Sequence, residues 1–290
     1  MAILQADQNN WSLAEANYQA ALQIRRTLAE ENPHTYLPKV ATTLNNLAVL
    51  QAAQNHWSLA EANFQAALQI YRTLAEENPR TYLPNVAMTL NNLAVLQKAQ
   101  NNWSLAEANY QAALQIRRTL AEENPRTYLP DVATTLNNLA TLQKAQNHWS
   151  LAEANYQAAL QIYRTLAEEN PRTYLPNVAM TLNNLANLQA AQNHWSLAEA
   201  NYQEALQIYR TLAEENPRTY LPDVAMTLIN VSIFYLQAQP DAERSIALAT
   251  EVLEIAQDFQ QVPRVMQDAA KAVQVLQANG VDLSQSTPEP

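Results

Sequence analysis

Residues 9–33 read NNWSLAEANYQAALQIRRTLAEENP, and the phrase returns almost unchanged every 46 residues, setting Trp11, Trp57, Trp103, Trp149 and Trp195 at one interval. A unit of this length that copies itself is one supersecondary element unable to bury its apolar face alone. It must stack on its neighbours, which makes the chain a solenoid. The residues that fill the unit are Ala, Leu, Gln and Glu, good helix formers, with apolar positions recurring at three- and four-residue spacing. The fold class is therefore all-α, built from antiparallel helix pairs.

The copy at 34–79 divides into HTYLPKVATTLNNLAVLQAAQN and HWSLAEANFQAALQIYRTLAEENP. Pro38 suits a first helical turn, so the first helix, A, is expected from about Pro38 to about Gln54. Asn55 and His56 supply the turn. Ser58 or the residue before it should cap helix B, with Glu61 completing a capping box, and helix B should run to about Asn78, stopped by Pro79. Further copies occupy 80–125, 126–171, 172–217 and 218–263, preceded by an incomplete copy at 1–33. A capping helix is expected over 264–280 and a disordered tail over 281–290. The opening Ala2-Ile3-Leu4-Gln5 aligns with Ala48-Val49-Leu50-Gln51. It reads as the inside of a helix A, suggesting a piece of a longer protein whose amino end could self-associate.

Charge and composition narrow the function. Seventeen basic against 27 acidic side chains give a net charge of -10, which opposes a phosphate backbone, so nucleic acid is not an expected partner. No run of about 20 consecutive apolar residues points to a membrane span, and the amino end lacks a basic segment followed by an apolar one. A cytoplasmic location is expected. There are no cysteines, and the single glycine, Gly280, rules out glycine-rich phosphate loops. His56, His148 and His194 sit at least one repeat apart, too far to share a metal, and read as turn residues. The Glu76-Glu77 pairs read as a solvated edge. The expectation is no enzyme, no metal and no cofactor.

Leu47-Ala48, Trp57, Ala60, Phe64 and Ala67 fall where the tetratricopeptide repeat places its leucine and small residue, aromatic, alanine, aromatic and alanine. Leu93, Ala94, Trp103, Ala106, Tyr110 and Ala113 repeat the pattern, which covers roughly residues 1–263. The unit departs from the family in Ala48 for the usual glycine, Gln51 for a frequent tyrosine, and a length above the common 34 residues. VATTLNNLA at 40–48 most resembles the longer kinesin light chain type. The resemblance implies a right-handed superhelix whose A helices line a concave side that holds extended peptides, with the aromatics filling the gap between helices.

Comparing the copies with one another points to the same helix. They differ along helix A at Lys39, at Thr42/Met88/Thr134/Met180, at Val49/Val95/Thr141/Asn187, and at Ala52/Lys98/Lys144/Ala190. At about 100° per residue these offsets lie within an arc of about 140°, opposite Val40, Leu44 and Leu47. The arc also carries asparagine pairs, of which the second members are Asn46, Asn92, Asn138 and Asn184, continued by the single Asn230. A carboxamide offers both donors and an acceptor to a peptide backbone; equally, it can bond a neighbouring helix. Five such bonds at roughly 1 kcal/mol each give near-millimolar affinity, so side-chain pockets must add selectivity. The candidate peptide site is thus these five asparagines with Thr42, Met88, Thr134, Met180, Val49, Val95, Thr141, Asn187, Lys98 and Lys144. The alternative is a structural spacer or oligomerisation arm with no ligand.

Overall fold

The computed structural model describes residues 11–282, and among them every element is helical. The expected end of the first helix A and all but two residues of the carboxyl-terminal tail lie outside the described residues. The twelve described helices follow one another in packed pairs: α1 Trp11–Glu31, α2 Pro33–Ala53, α3 Trp57–Glu77, α4 Pro79–Ala99, α5 Trp103–Glu123, α6 Pro125–Ala145, α7 Trp149–Glu169, α8 Pro171–Ala191, α9 Trp195–Glu215, α10 Pro217–Gln237, α11 Ala242–Asp258 and α12 Pro263–Ala278. They form two compact units, α1–α6 and α7–α12, divided within the copy at 126–171.

Each helix A starts five residues before the sequence suggested. Pro33, not Pro38, takes the first turn, because Asn32 supplies the cap: its side chain accepts the Thr35 N–H at 3.2 Å. Pro38 then lies inside α2 and the helix continues past it, giving up one backbone bond. The connection from helix B to the next helix A is a single residue. Asn78 ends α3 by donating its N–H to the Leu74 carbonyl and begins α4 by accepting from Thr81 N–H.

The connection from A to B is also tight. Asn55 adopts φ 62°, and the Asn55 and His56 N–H groups reach back to the Ala52 and Gln51 carbonyls at 3.0 and 2.8 Å. This double bond to the helix end needs one left-handed residue, which Asn tolerates, and Asn101, Asn147 and Asn193 repeat it. The expected capping box is absent. His56 occupies the cap position of α3 without a side-chain bond, and Glu61 instead accepts from Gln97 of the next copy at 3.4 Å.

Small residues set the packing distance. Ala48 and Ala60 are fully buried, as are Ala94 and Ala106, so A and B approach closely. The second aromatic of the pattern fills the remaining space, Phe64 and Tyr110 being buried. The tryptophans do not fill it, contrary to expectation: Trp57, Trp103 and Trp195 are 36–43 % exposed. Each stands at the first residue of helix B, beyond the reach of the core, and the Trp57 indole donates to Asn55 Oδ1.

Polar clasps join successive copies. Buried Gln51 donates to Glu15 on α1 at 2.9 Å and accepts from Asn63 on α3 at 2.7 Å; Gln97 repeats this with Glu61 and Asn109. At the end of the array Tyr235 takes the glutamine's place and bonds Glu199. There, Ser232 and Ser245 exchange hydroxyl-to-carbonyl bonds of 2.7 and 3.0 Å between α10 and α11. Helix α10 is the one described helix long and apolar enough to cross a membrane. Just over half of its apolar window is buried in packing against α9, α11 and α12, as in a core helix.

Candidate functional site

The exposed side of each helix A is a narrow stripe. In α2 it consists of Thr42, Asn46, Val49 and Ala53, four residues at helical spacing that are wholly or partly exposed. In α4 the stripe is Met88, Asn92, Val95 and Ala99; in α6 it is Thr134, Asn138, Thr141 and Ala145; in α8 it is Met180, Asn184, Asn187 and Ala191. The proposed positions therefore share one face within each unit. Lys98 and Lys144 lie at its edge, half-buried rather than fully solvated. Burial holds both ammonium groups below the usual lysine range.

The asparagine pairs divide their work unevenly. The first member is buried and the second half-buried, and the two meet across copies. Asn92 Nδ2 donates to Asn45 Oδ1 at 3.3 Å, Asn138 to Asn91 at 3.3 Å, and Asn230 to Asn183 at 3.1 Å. Within the units, a ladder of carboxamides thus ties α4 to α2, α6 to α4 and α10 to α8. One amide hydrogen of Asn92, Asn138 and Asn230 is engaged in this way, and the side chain still reaches the exposed stripe.

Part of the variation along the stripe has an internal partner. Arg25 and Arg117 precede copies carrying Thr42 and Thr134, whereas Tyr71, Tyr163 and Tyr209 precede copies carrying Met88, Met180 and Met226. The Arg117 guanidinium is buried and bonds the Asp131 carbonyl and Thr135 hydroxyl of α6, and Arg25 makes the same pair of bonds with Lys39 and Thr43 of α2. The Thr/Met alternation thus co-varies with the preceding Arg or Tyr, although each arginine bonds the invariant threonine beside the variable position and Thr42 itself bonds the Tyr71 hydroxyl at 2.8 Å. At position 49, Asn187 accepts from the Tyr202 hydroxyl at 2.9 Å, whereas valine accompanies Phe64 in one copy and Tyr110 in the next.

Two equivalent cavities open on the stripe. One, of about 360 Å³, lies between α2, α3 and α4, bordered by Val49, Ala52, Trp57, Phe64, Asn92 and Val95. Its counterpart in the second unit, of about 330 Å³, is bordered by Asn187, Ala190, Tyr202, Asn230, Ile233 and Phe234. Both occur where the variable position is alanine, Ala52 or Ala190. The first is almost wholly apolar, while the second carries the Asn187 and Asn230 amides. Trp57, Phe64 and Tyr202 were not among the residues the sequence nominated. The signal that could have found them is their place on helix B facing the stripe from the next helix.

Among the described residues no three His, Cys, Asp or Glu side chains gather as a metal site. The acidic ends of helix B make exposed ion pairs between copies, Arg80 with Glu123 at 3.1 Å and Arg172 with Glu215 at 3.0 Å, each worth little in water.

No curated protein matches the chain. Among solved structures, the BtubC (BKLC) protein of P. vanneervenii is similar over 97 % of this chain and 94 % of its own, with 22 % identity and a TM-score of 0.62. The nearly identical TPR-like repeats of a candidate kinesin light chain from Podosopora anserina are similar over 77 % of this chain and 98 % of theirs, with 17 % identity and a TM-score of 0.54. The Rap conjugation gene regulator of plasmid pLS20, solved with a Phr peptide, is similar over all of this chain and 75 % of its own, with 13 % identity and a TM-score of 0.56. These likenesses concern the fold. The tetratricopeptide repeat profiles match residues 40–80, 86–165 and 178–218, together more than half of the sequence, and the chain belongs to the tetratricopeptide repeat family.

Proposed function

We propose that the chain is a non-enzymatic scaffold that binds protein segments in extended form on the exposed face of its A helices. The observation that carries this reading is the pair of equivalent cavities, one in each unit, each bordered by the second asparagine of the following helix A. An apolar recess beside a carboxamide suits a side chain and the backbone next to it. The fold shared with a regulator solved with its peptide supports the same reading. Asn46, Asn92, Asn138, Asn184 and Asn230 would contact the ligand backbone, and the residues at positions 49 and 52 of each copy would select its side chains. Because a few amide bonds give only weak affinity, binding rests on several recesses engaged together.

The carboxamide ladder favours a second reading, a structural spacer, since its amides already bond one another. Selection of displayed random peptides on the immobilised chain separates the two. Enrichment of specific sequences is expected, with capture falling at least about tenfold in the triple variant Asn92→Ala, Asn138→Ala, Asn184→Ala, whose helicity is checked by circular dichroism. Failure to enrich any sequence, or equal capture by a folded triple variant, would leave the spacer.

A further inference from the structure

The position held by Ala52 in one copy and Ala190 in another is Lys98 in the copy between α4 and α5. Ala52 borders the first cavity together with Val49 and Phe64, and Ala190 borders the second together with Asn187 and Tyr202. The 46-residue repeat therefore sets Lys98, Val95 and Tyr110 around the corresponding place in the first unit. A lysine stem stands there in place of an alanine methyl.

Two features of this place ask for an acceptor. The Tyr110 hydroxyl is fully buried and has no hydrogen-bond partner. Its counterpart on Tyr202 donates to Asn187, but Val95 occupies the Asn187 position and offers no acceptor. Packing does not demand this hydroxyl, because Phe64 fills the same position beside Val49 without one. A buried hydroxyl unpaired within the chain costs stability, and an acceptor supplied from outside would relieve that cost.

Lys98 is the second feature. Lys271 pairs with Asp268 at 2.9 Å and Lys39 lies over the Tyr36 ring, whereas Lys98, although half-buried, has no anionic partner among the described residues. Burial lowers its pKa, the mark of an ammonium short of solvent and of a counter-charge. A lone ammonium and a lone phenol are donors without an acceptor, and nothing else at this place is charged: the equivalent border residues are Val95, Asn138 and Thr141.

We propose that Lys98 and Tyr110 form a subsite for a carboxylate, an aspartate or glutamate side chain of the bound segment. One carboxylate oxygen pairs with the Lys98 ammonium, and a side-chain shift that opens the buried Tyr110 hydroxyl lets the other accept from it, so both donors are answered by a single group. A single lysine on a chain of net charge -10 fits a monoanion better than a phosphate. The subsite rests on the peptide-binding reading and sharpens it. Neighbouring A helices lie roughly 10 Å apart, about three residues of extended peptide, so the acidic residue should stand about three positions from the large apolar residue held by the cavity at Phe64.

The test uses the peptides that the display selection enriches. They are expected to carry Asp or Glu about three positions from a large apolar residue. In a synthetic copy, changing that Glu to Gln should weaken binding to the unaltered chain about tenfold and to Lys98→Ala less than about twofold. Lys98→Ala installs the alanine that Ala52 and Ala190 already hold, so the variant is expected to fold. Tyr110→Phe should weaken the acidic peptide about threefold while its thermal midpoint rises, a combination that damage to the fold would not produce. Enriched peptides without an acidic preference, or the same Glu-to-Gln ratio in Lys98→Ala, would overturn the subsite and leave peptide binding standing. Enrichment of no peptide would overturn both.

Discussion

Tyr110 and Tyr202 occupy equivalent positions and are both buried, and burial pushes both phenols above the ordinary tyrosine range. Among their differences is the neighbour from the helix A of their own copy, valine for one and asparagine for the other. A buried hydroxyl contributes when it is paired and costs when it is not. Removing the oxygen should therefore act in opposite directions. Tyr110→Phe is expected to stabilise the chain by about 0.5–1 kcal/mol, and Tyr202→Phe to destabilise it by about 1 kcal/mol because Asn187 loses its donor. Urea melts of the two variants measure both values. Equal signs would show that the position-49 neighbour does not decide the matter.

The helices owe their abrupt boundaries to single asparagines. Asn78 closes α3 through its backbone and opens α4 through its side chain, and the left-handed Asn55 lets α2 turn into α3 within three residues. Such short connections fix the pairing of A and B, and hence where the exposed stripe points. The array contains its own control, because Asn216 occupies the same junction without a side-chain cap bond. Asn78→Ala should cost about 1 kcal/mol and Asn216→Ala only a few tenths. Thermal denaturation of the two variants compares them directly; a matching loss at both sites would show that the backbone geometry, not the cap bond, carries the junction. The pattern Asn-Pro was visible in the sequence, yet Pro38 drew the expected helix start five residues too far along. Proline reports a tolerated φ, and only the cap bond reveals which proline begins the helix.

A repeat array has no single core. In the first unit, buried side chains of α2, α3 and α4 pack between neighbouring copies, and the Gln51 and Gln97 clasps and the carboxamide ladder all bridge one copy to the next. Stability should then be a sum over copies and the interfaces between them. Excising residues 80–125 removes one copy and one interface and rejoins identical junctions, since Asn78-Pro79 and Asn124-Pro125 are the same dipeptide. The shortened chain should keep its ellipticity per residue and lose a few kcal/mol of unfolding free energy, measured by chemical denaturation. Collapse of the helical signal would show that the array folds as one indivisible body.

The 46-residue recurrence determined the helix pairs, their order and the family, because periodic apolar positions and repeated turn residues are local instructions carried by the chain itself. The outward stripe of helix A was legible for the same reason: an angle of about 100° per residue holds for any helix. The chain alone did not show that Asn45 is buried against Asn92, that Glu61 serves the next copy rather than its own helix end, or that the tryptophans stay half outside the core. Those facts depend on contacts between copies about 36 to 47 residues apart. Every copy carries nearly the same letters, so only packing distinguishes a hydroxyl that finds its acceptor from one that waits for a ligand.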